Sequence, residues 1–258
     1  MLRSSMIRDK CKDILFYLCL LMLWQLTYYL GVDVLNAWNG YSFPNPFGVL
    51  SSLLHLAEDG TLFLAVFYSL KRAILGFIAA LTIGVFIGTV IAVIPYLKRN
   101  LKPILMGLQS LPSICWVPFS ILWFGLSERA IIFVVFMGTM VSITMAMEDA
   151  IGSVPDIYIK AAKTMGASKK DILMRVQLPA ALPSFTLGLK QSWSFAWRAL
   201  MSGEVLSSGI GLGYTLMMGR DFADINQVMA VMLVIILVGI LVDRLVFMNL
   251  SKRLKSIY

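Results

Sequence analysis

Residues 153–183, SVPDIYIKAAKTMGASKKDILMRVQLPAALP, form the longest polar, basic interruption in a chain otherwise built of apolar runs. Lys160, Lys163, Lys169, Lys170 and Arg175 stand there against Asp156 and Asp171 alone. Ser153 with Asp156, and Ser168 with Asp171, each read S-x-x-D. That spacing lets side-chain oxygens fill the orphan amide donors of a helix start. Gly166 falls where a first short helix should stop, because glycine accepts the left-handed turn of a helix C-terminus. Pro179 then stops the second helix or bends the chain into the next apolar run. On the first helix Ile157, Ala161, Ala162 and Met165 share a face, with Lys160, Lys163 and Thr164 mostly opposite. The stretch predicts a helix–turn–helix lying outside a bilayer, with small residues where something must approach closely.

The bilayer follows from composition. Of 258 residues 59% are apolar and only 14% charged, and the mean hydropathy is +0.83. Soluble domains average about 45–50% apolar and about 25% charged. The chain therefore reads as an all-α membrane protein crossing the bilayer several times. A net charge of +8 does not mark a nucleic-acid binder, because the basic residues sit in short separate clusters between apolar runs, as the positive-inside pattern requires. Those clusters also suit anionic lipid headgroups. Cys11, Cys19 and Cys115 form no C-x-x-C pair, and the only histidine is His55. A disulfide and a zinc site are not expected, and a multi-histidine metal site is excluded by the single histidine.

Taken in order, the chain predicts about six spans. A polar segment over 1–13 with Arg3, Arg8, Lys10 and Lys12 precedes an apolar run over 14–30. The run is long enough to cross, since about 17–25 residues suffice. It lacks the small-residue cleavage site of a signal peptide. Residues 31–61 carry no Lys or Arg, and 46–56 read as an amphipathic surface helix. The run over 62–94 exceeds one upright span, so its start is expected at the interface and the span from about 73. Gly84 and Gly88 form G-x-x-x-G there, which permits close helix approach, although glycine is common in any membrane helix. Lys98, Arg99 and Lys102 mark 95–103 as an inner loop. A span over 105–126 carries Pro112 and Pro118 and must be kinked or unwound, its freed backbone groups satisfied by neighbours. Further spans cover 130–146, 180–200 and 228–246, and Lys252, Arg253 and Lys255 end the chain. Only Arg129 and Arg220 fall clearly in outer segments, so both termini are expected inside.

The pattern around 160–179 resembles a known signature. Lys160-Ala161-Ala162, Gly166 and Val176-Gln177-Leu178-Pro179 follow the E-A-A-x3-G-x9-I-x-L-P loop of ATP-binding-cassette (ABC) importer permeases at every spacing. Lys160 replaces the usual Glu, which puts in doubt any salt bridge that the Glu makes to a partner. Val176 replaces Ile. Ser69-Leu70-Lys71-Arg72 with Gly76-Phe77 resembles the opening of that family's second span. Leu111-Pro112-Ser113, Pro118, Trp123-Phe124-Gly125, Trp197, Glu204 and Gly211-Leu212-Gly213 are similar to its nitrate, sulfonate and taurine group. The resemblance implies the type I importer permease fold, one transmembrane domain over 14–258 with a coupling loop at 150–179. It also implies a cytoplasmic ATPase that holds ATP–Mg and docks on Lys160, Ala161, Ala162, Gly166, Leu178 and Pro179, an extracytoplasmic solute-binding protein, and a second permease copy, expected as a homodimer. The setting would be a bacterial or archaeal plasma membrane. The solute would be a small anion such as a sulfonate, taurine, nitrate or bicarbonate, with a vitamin or pyrimidine precursor as the alternative.

The residues themselves agree with a transport role. No G-x-x-x-x-G-K-[ST] is present, so this chain is not expected to cradle nucleotide phosphates, and no nucleophile–base set or cofactor motif is legible. A charge at a membrane-helix centre costs about 2.5–3.5 kcal/mol on insertion scales, so each needs a reason. Lys190 and Arg198 lie two helical turns apart. They read either as a cationic face for an anionic solute or as residues that snorkel to opposite interfaces. Glu204 pairs with Arg198 only if the helix ends between them. Asp243 with Arg244 reads as a structural pair or as headgroup contacts, and Lys71 with Arg72 as interfacial anchors. A self-sufficient secondary carrier is the competing class, but internal repeats are not evident. A membrane-embedded enzyme lacks a candidate site.

Overall fold

Inside a bilayer every backbone donor and acceptor must find its partner within the protein, and a helix does this locally. The computed structural model describes residues 2–207 and 209–249, and these contain helices and no strand. The basic tail with Lys252, Arg253 and Lys255 lies outside the described residues. Five of the helices are long and apolar enough to cross a membrane, six if one sharply bent pair counts as a single span.

The chain divides into two compact units. One comprises Met1–Phe63 and Thr215–Val234, the other Leu64–Tyr214 and Ile235–Tyr258. In the first, helix α1 (Leu2–Tyr28) joins the polar start and the first apolar run, then widens into a π-helical turn at Tyr29–Val34. Trp24 Nε1 donates to the Pro44 carbonyl at 3.0 Å, pinning the irregular segment before α2 (Pro46–Glu58). Asn45 caps α2 by accepting from the Phe47 amide, and its own amide donates to Asn226 Oδ1 at 2.9 Å.

The second unit holds most of the buried surface. Helix α3 (Thr61–Val93) begins in the first unit and runs unbroken for 33 residues. That is about 50 Å at 1.5 Å per residue, so the interfacial start and the span are one rod. Helix α4 (Pro95–Gln109) replaces the loop expected at 95–103: it is amphipathic, carries Pro103 within it and has no buried residue. After Ser110–Pro112 the chain turns by 93° through a 3₁₀ turn at Ser113–Cys115 into α5 (Trp116–Phe124). The proline-rich span is therefore broken, as its two prolines required, with the break at Pro112.

Helix α6 (Glu128–Gly152) is the central element, with more than half of its most apolar window buried. Small residues let its neighbours close on it. A side chain at Gly84 of α3 would place its first carbon 2.9 Å from Ile143 Cγ2, and one at Gly88 would lie 2.5 Å from the Thr144 carbonyl oxygen. The G-x-x-x-G therefore marks a real helix contact, of the close-approach kind.

Beyond α6 come α7 (Asp156–Thr164) and a helix that starts as α8 (Lys169–Asp171), widens into a π-helical turn at Ile172–Gln177 and continues as α9 (Leu178–Val205). Ser142 and Ser192 hydroxyls meet at 2.9 Å between α6 and α9. Pro179, expected to stop or bend the chain, does not end the helix. Its missing amide and its ring disfavour the normal i→i−4 bond, and the preceding wide turn absorbs that defect. The result is a single 37-residue helical run, Lys169–Val205. Helices α10 (Leu212–Asp221) and α11 (Ile225–Val242), the latter followed by a π-helical turn at Asp243–Met248, complete the order.

Candidate functional site

The elbow between α7 and α8 is built by its caps. Gly166 adopts φ +83°. Its amide donates to the Lys163 carbonyl at 3.0 Å and the Ala167 amide reaches back to Ala162 at 3.0 Å. These two bonds make the Schellman closure that satisfies the last carbonyls of α7. Ser168 then opens α8: its Oγ accepts from the Asp171 amide at 3.2 Å and donates to the Asp171 carboxylate at 2.5 Å. The other expected cap does not form. α6 extends to Gly152, Ser153 closes its end by donating to the Ala150 carbonyl, and Pro155 precedes α7 without a side-chain cap. The apolar drive to continue α6 outweighs a single hydroxyl cap.

The faces of α7 separate as expected except at one position. Ala162 is buried, whereas Ile157, Tyr158 and Met165 project outward, Met165 being 86% exposed. Lys160, Ala161 and Lys163 are exposed beside them. A hollow of about 350 Å³ lies in the crook of the elbow, lined by Ala162, Met165, Gly166, Asp171, Arg175 and Val176. Leu178 and Pro179 are half-buried just beyond it. Ahead of the elbow, the end of α6 is tied to α4, where buried Glu148 receives Lys98 Nζ at 2.7 Å and Lys102 Nζ at 2.5 Å. Lys102 also reaches Asp149 at 2.8 Å.

The buried charges at the opposite end of α9 are organised around Glu204, which is fully buried. Arg72 of α3, 2% exposed, donates through Nη1 to Glu204 Oε1 at 2.9 Å and to the Ile210 carbonyl at 2.7 Å, and through Nη2 to Glu128 Oε1 at 3.0 Å. Ser69 Oγ lies 2.7 and 2.9 Å from the two Glu204 oxygens and accepts the Leu212 amide at 2.8 Å. The Gly213 amide donates to Glu204 Oε2 at 3.0 Å. The glycine cluster is thereby explained: a side chain at Gly211 would begin 2.5 Å from Glu204 Oε1. Arg72 is thus a buried tie, not an interfacial anchor, and Glu204 pairs with it and not with Arg198, because α9 continues through Val205. Sequence spacing missed the pair because its members lie on different helices; an arginine next to Ala73 and a glutamate next to Gly203, both in apolar runs, were the available signal.

Lys190 and Arg198, which spacing placed on one face, have different surroundings. Lys190 pairs with Asp243 at 3.0 Å, so Asp243 serves α9 and not its neighbour Arg244. Arg198 has no carboxylate within ion-pair range among the described residues. It borders a cavity of about 400 Å³ between the α4–α5 break, α6 and α9.

The family model described as binding-protein-dependent transport system inner membrane component matches residues 80–256. The chain belongs to that family. Among its relatives, the taurine transport system permease protein of Escherichia coli is 29% identical over 223 residues, covering 84% of this chain and 81% of that one. The nitrate import permease protein of Synechococcus elongatus is 29% identical over 264 residues, covering 95% and 91%. Among solved structures, the MetNI methionine ABC transporter in an inward-facing conformation has a chain that superposes with a TM-score of 0.64. It is 21% identical, with 77% of this chain and 96% of that chain covered, a likeness of fold. The protein is a permease subunit of a binding-protein-dependent ABC importer, and the helical membrane fold of a type I importer is the one observed. In this permease the matched region contains the elbow, the cavity and Glu204, while Ser69 and Arg72 precede it.

Proposed function

We propose that this permease imports a small organic or inorganic anion, working as one of two copies driven by a partner ATPase that grips the elbow of α7 and α8. The observation that carries this reading is the elbow itself. A short helix, locked by the Gly166 closure, presents Ile157, Ala161 and Met165 outward among lysines instead of burying them. An apolar strip on a basic helix is a surface for a protein partner. From it a continuous helical run leads to Glu204, so force applied at the elbow reaches the far end of the bundle without crossing a flexible joint. Lys160, Ala161, Ala162, Gly166, Leu178 and Pro179 are the docking and lever residues. ATP–Mg²⁺ belongs to the partner, and no step on this chain uses it.

Cargo comes from an extracytoplasmic binding protein. The topology is that of a multi-pass protein in a bacterial or archaeal plasma membrane, with both termini and the elbow on the cytoplasmic side, where the basic clusters meet anionic lipid. The anion class is supported by relatives named for taurine and nitrate and by the uncompensated Arg198 beside the cavity. Lys190 and Glu204, each held by a partner of opposite charge, serve the pathway as structural supports.

The test is Gly166→Pro and, separately, Ala162→Asp, in permease reconstituted with its ATPase and binding protein. Proline cannot adopt φ +83°, and an aspartate at Ala162 forces a carboxylate into a buried position. Both variants are expected to insert normally and to lose at least about tenfold of solute-stimulated ATP hydrolysis, roughly 1.4 kcal/mol of coupling. Unchanged stimulation would refute docking at the elbow.

A further inference from the structure

Helix α4 lies between two joints marked by proline. Before it, Ile94 is extended at φ −107° and ψ 102°, because the ring of Pro95 disfavours helical geometry in the preceding residue. After it comes the Ser110–Pro112 break. Between the joints the helix runs for 15 residues through Pro103 and buries none of them fully. Leu97, Leu101 and Leu105 are half-buried along it. Its polar tie to α6 is more deeply set. Lys98 and Lys102 stand one turn apart on one face, and both reach Glu148, whose side chain is 2% exposed. The further pair of Lys102 with Asp149 involves an exposed carboxylate and contributes little. The end of α6 is in turn fixed to the elbow. Met147, Ala150, Ile151 and Val154 form one buried cluster with Ala181, against which Leu178 packs. The Ser153 amide donates to the Asp149 carbonyl at 2.9 Å, just ahead of α7.

We propose that Glu148 is a positioning residue for transport: through Lys98 and Lys102 it makes α4 follow the root of the elbow and so moves one wall of the cavity. A buried carboxylate deprived of its cations is strongly destabilised, so a shift of the α6 end draws the two lysines with it. α4 then turns about the joint at Ile94–Pro95. At 1.5 Å per residue the lysines lie about 5–10 Å from that joint and Gln109 about 20 Å from it, so a displacement at the lysines is roughly doubled at the far end. That end carries Leu108 and Gln109 on the cavity wall, with Ser110 and Leu111 following at the break. The run Lys169–Val205 gives force one path along α9, and this ionic strap gives it a second path to a different wall of the same cavity. The assignment rests on the importer reading, in which force enters at the elbow.

The test uses the permease–ATPase complex in nanodiscs. Cys11, Cys19 and Cys115 are replaced by serine, and a bimane fluorophore is attached at Met106→Cys, an exposed position near the far end of α4. Trapping the ATPase with ATP–Mg²⁺ and vanadate, without binding protein or solute, is expected to shift the bimane emission in this parent and to leave it unshifted in Glu148→Gln. Glutamine removes the buried charge and leaves behind only lysines that reach solvent. The variant should therefore keep its melting temperature and basal hydrolysis while solute-stimulated hydrolysis falls by about tenfold. Adding Lys102→Gln to Glu148→Gln should cost less than about twofold more, because the groups act as one unit. Glu148→Asp, which keeps the charge, should retain most of the stimulation. No emission shift in the parent, a shift that persists in Glu148→Gln, additive losses, Glu148→Asp as defective as Glu148→Gln, or a loss matched by a lower melting temperature would each overturn the strap. Stimulation by loaded binding protein, read on the wild-type complex, tests the importer reading separately. Its absence beside an emission shift that depends on Glu148 counts against that reading alone.

Discussion

Arg72 and Glu204 are the residues on which the far end of the bundle depends. Removing one member of a buried, hydrogen-bonded pair leaves the other charge without a partner, at a cost of about 3–5 kcal/mol. Here the loss is compounded, because Arg72 also holds the Ile210 carbonyl and Glu128. Arg72→Met is therefore expected to lower the melting temperature of the detergent-solubilised permease by on the order of 10 °C, measured by the unfolding of tryptophan fluorescence. Ser69→Ala, which removes a neutral partner from the same carboxylate, should cost no more than a third of that. Equal losses would place the stability in packing around Ser69 and not in the charge pair. Arg198 differs in kind: it is an exposed cation beside a cavity, with no carboxylate in ion-pair range among the described residues.

Among the helices, the run Lys169–Val205 is the element that the proposed coupling uses as a lever. Its π-helical turn at Ile172–Gln177 sits directly before Pro179, and a π turn is an α-helix carrying one residue in excess. Deleting Met174 should restore an α-helical ladder and rotate everything before it by about 100° relative to α9. We expect the deletion to preserve membrane insertion and lose binding-protein-stimulated hydrolysis by at least about tenfold, read in reconstituted vesicles. Retained coupling would show that the elbow's orientation relative to α9 is immaterial. The same motif spacing was legible from the sequence, from Gly166 to Leu178-Pro179, whereas the wide turn between them was not. Hydrophobic periodicity marks which residues are helical, but an extra residue in one turn changes which way they face without altering composition.

For the whole transporter, the surface proposed above as the ATPase dock is strongly basic: Lys160, Lys163, Lys169 and Lys170 are exposed around the elbow, and Asp171 is engaged by Ser168 and by Arg175 at 3.5 Å. Charges on an exposed surface are screened beyond about 10 Å at 0.1 M salt and about 3 Å at 1 M. Raising sodium chloride from 0.1 to 0.5 M should weaken association of the ATPase with the permease several-fold, measured by surface plasmon resonance on immobilised complex, and Lys160→Glu should reduce that salt dependence. A salt-independent affinity would assign the docking energy to Ile157, Ala161 and Met165 alone.

What the amino-acid sequence determined by itself is most of the spans and several of their local stops. Apolar runs of sufficient length became helices, Pro112 marked a break, Ser168 and Gly166 built the caps of the elbow, and the alanine–glycine–proline spacing pointed to the permease family. Each of these depends on neighbours within a few residues, so the information is local. What only the tertiary structure decided is which buried charges meet. Arg72 and Glu204 are 132 residues apart, Lys190 finds Asp243 instead of sharing a role with Arg198, and Lys98 and Lys102 converge on Glu148. A pairing of that kind depends on the rotation and approach of two separate helices. These are set by small residues such as Gly84, Gly88 and Gly211 allowing contact, and no spacing within one helix encodes the partner on another.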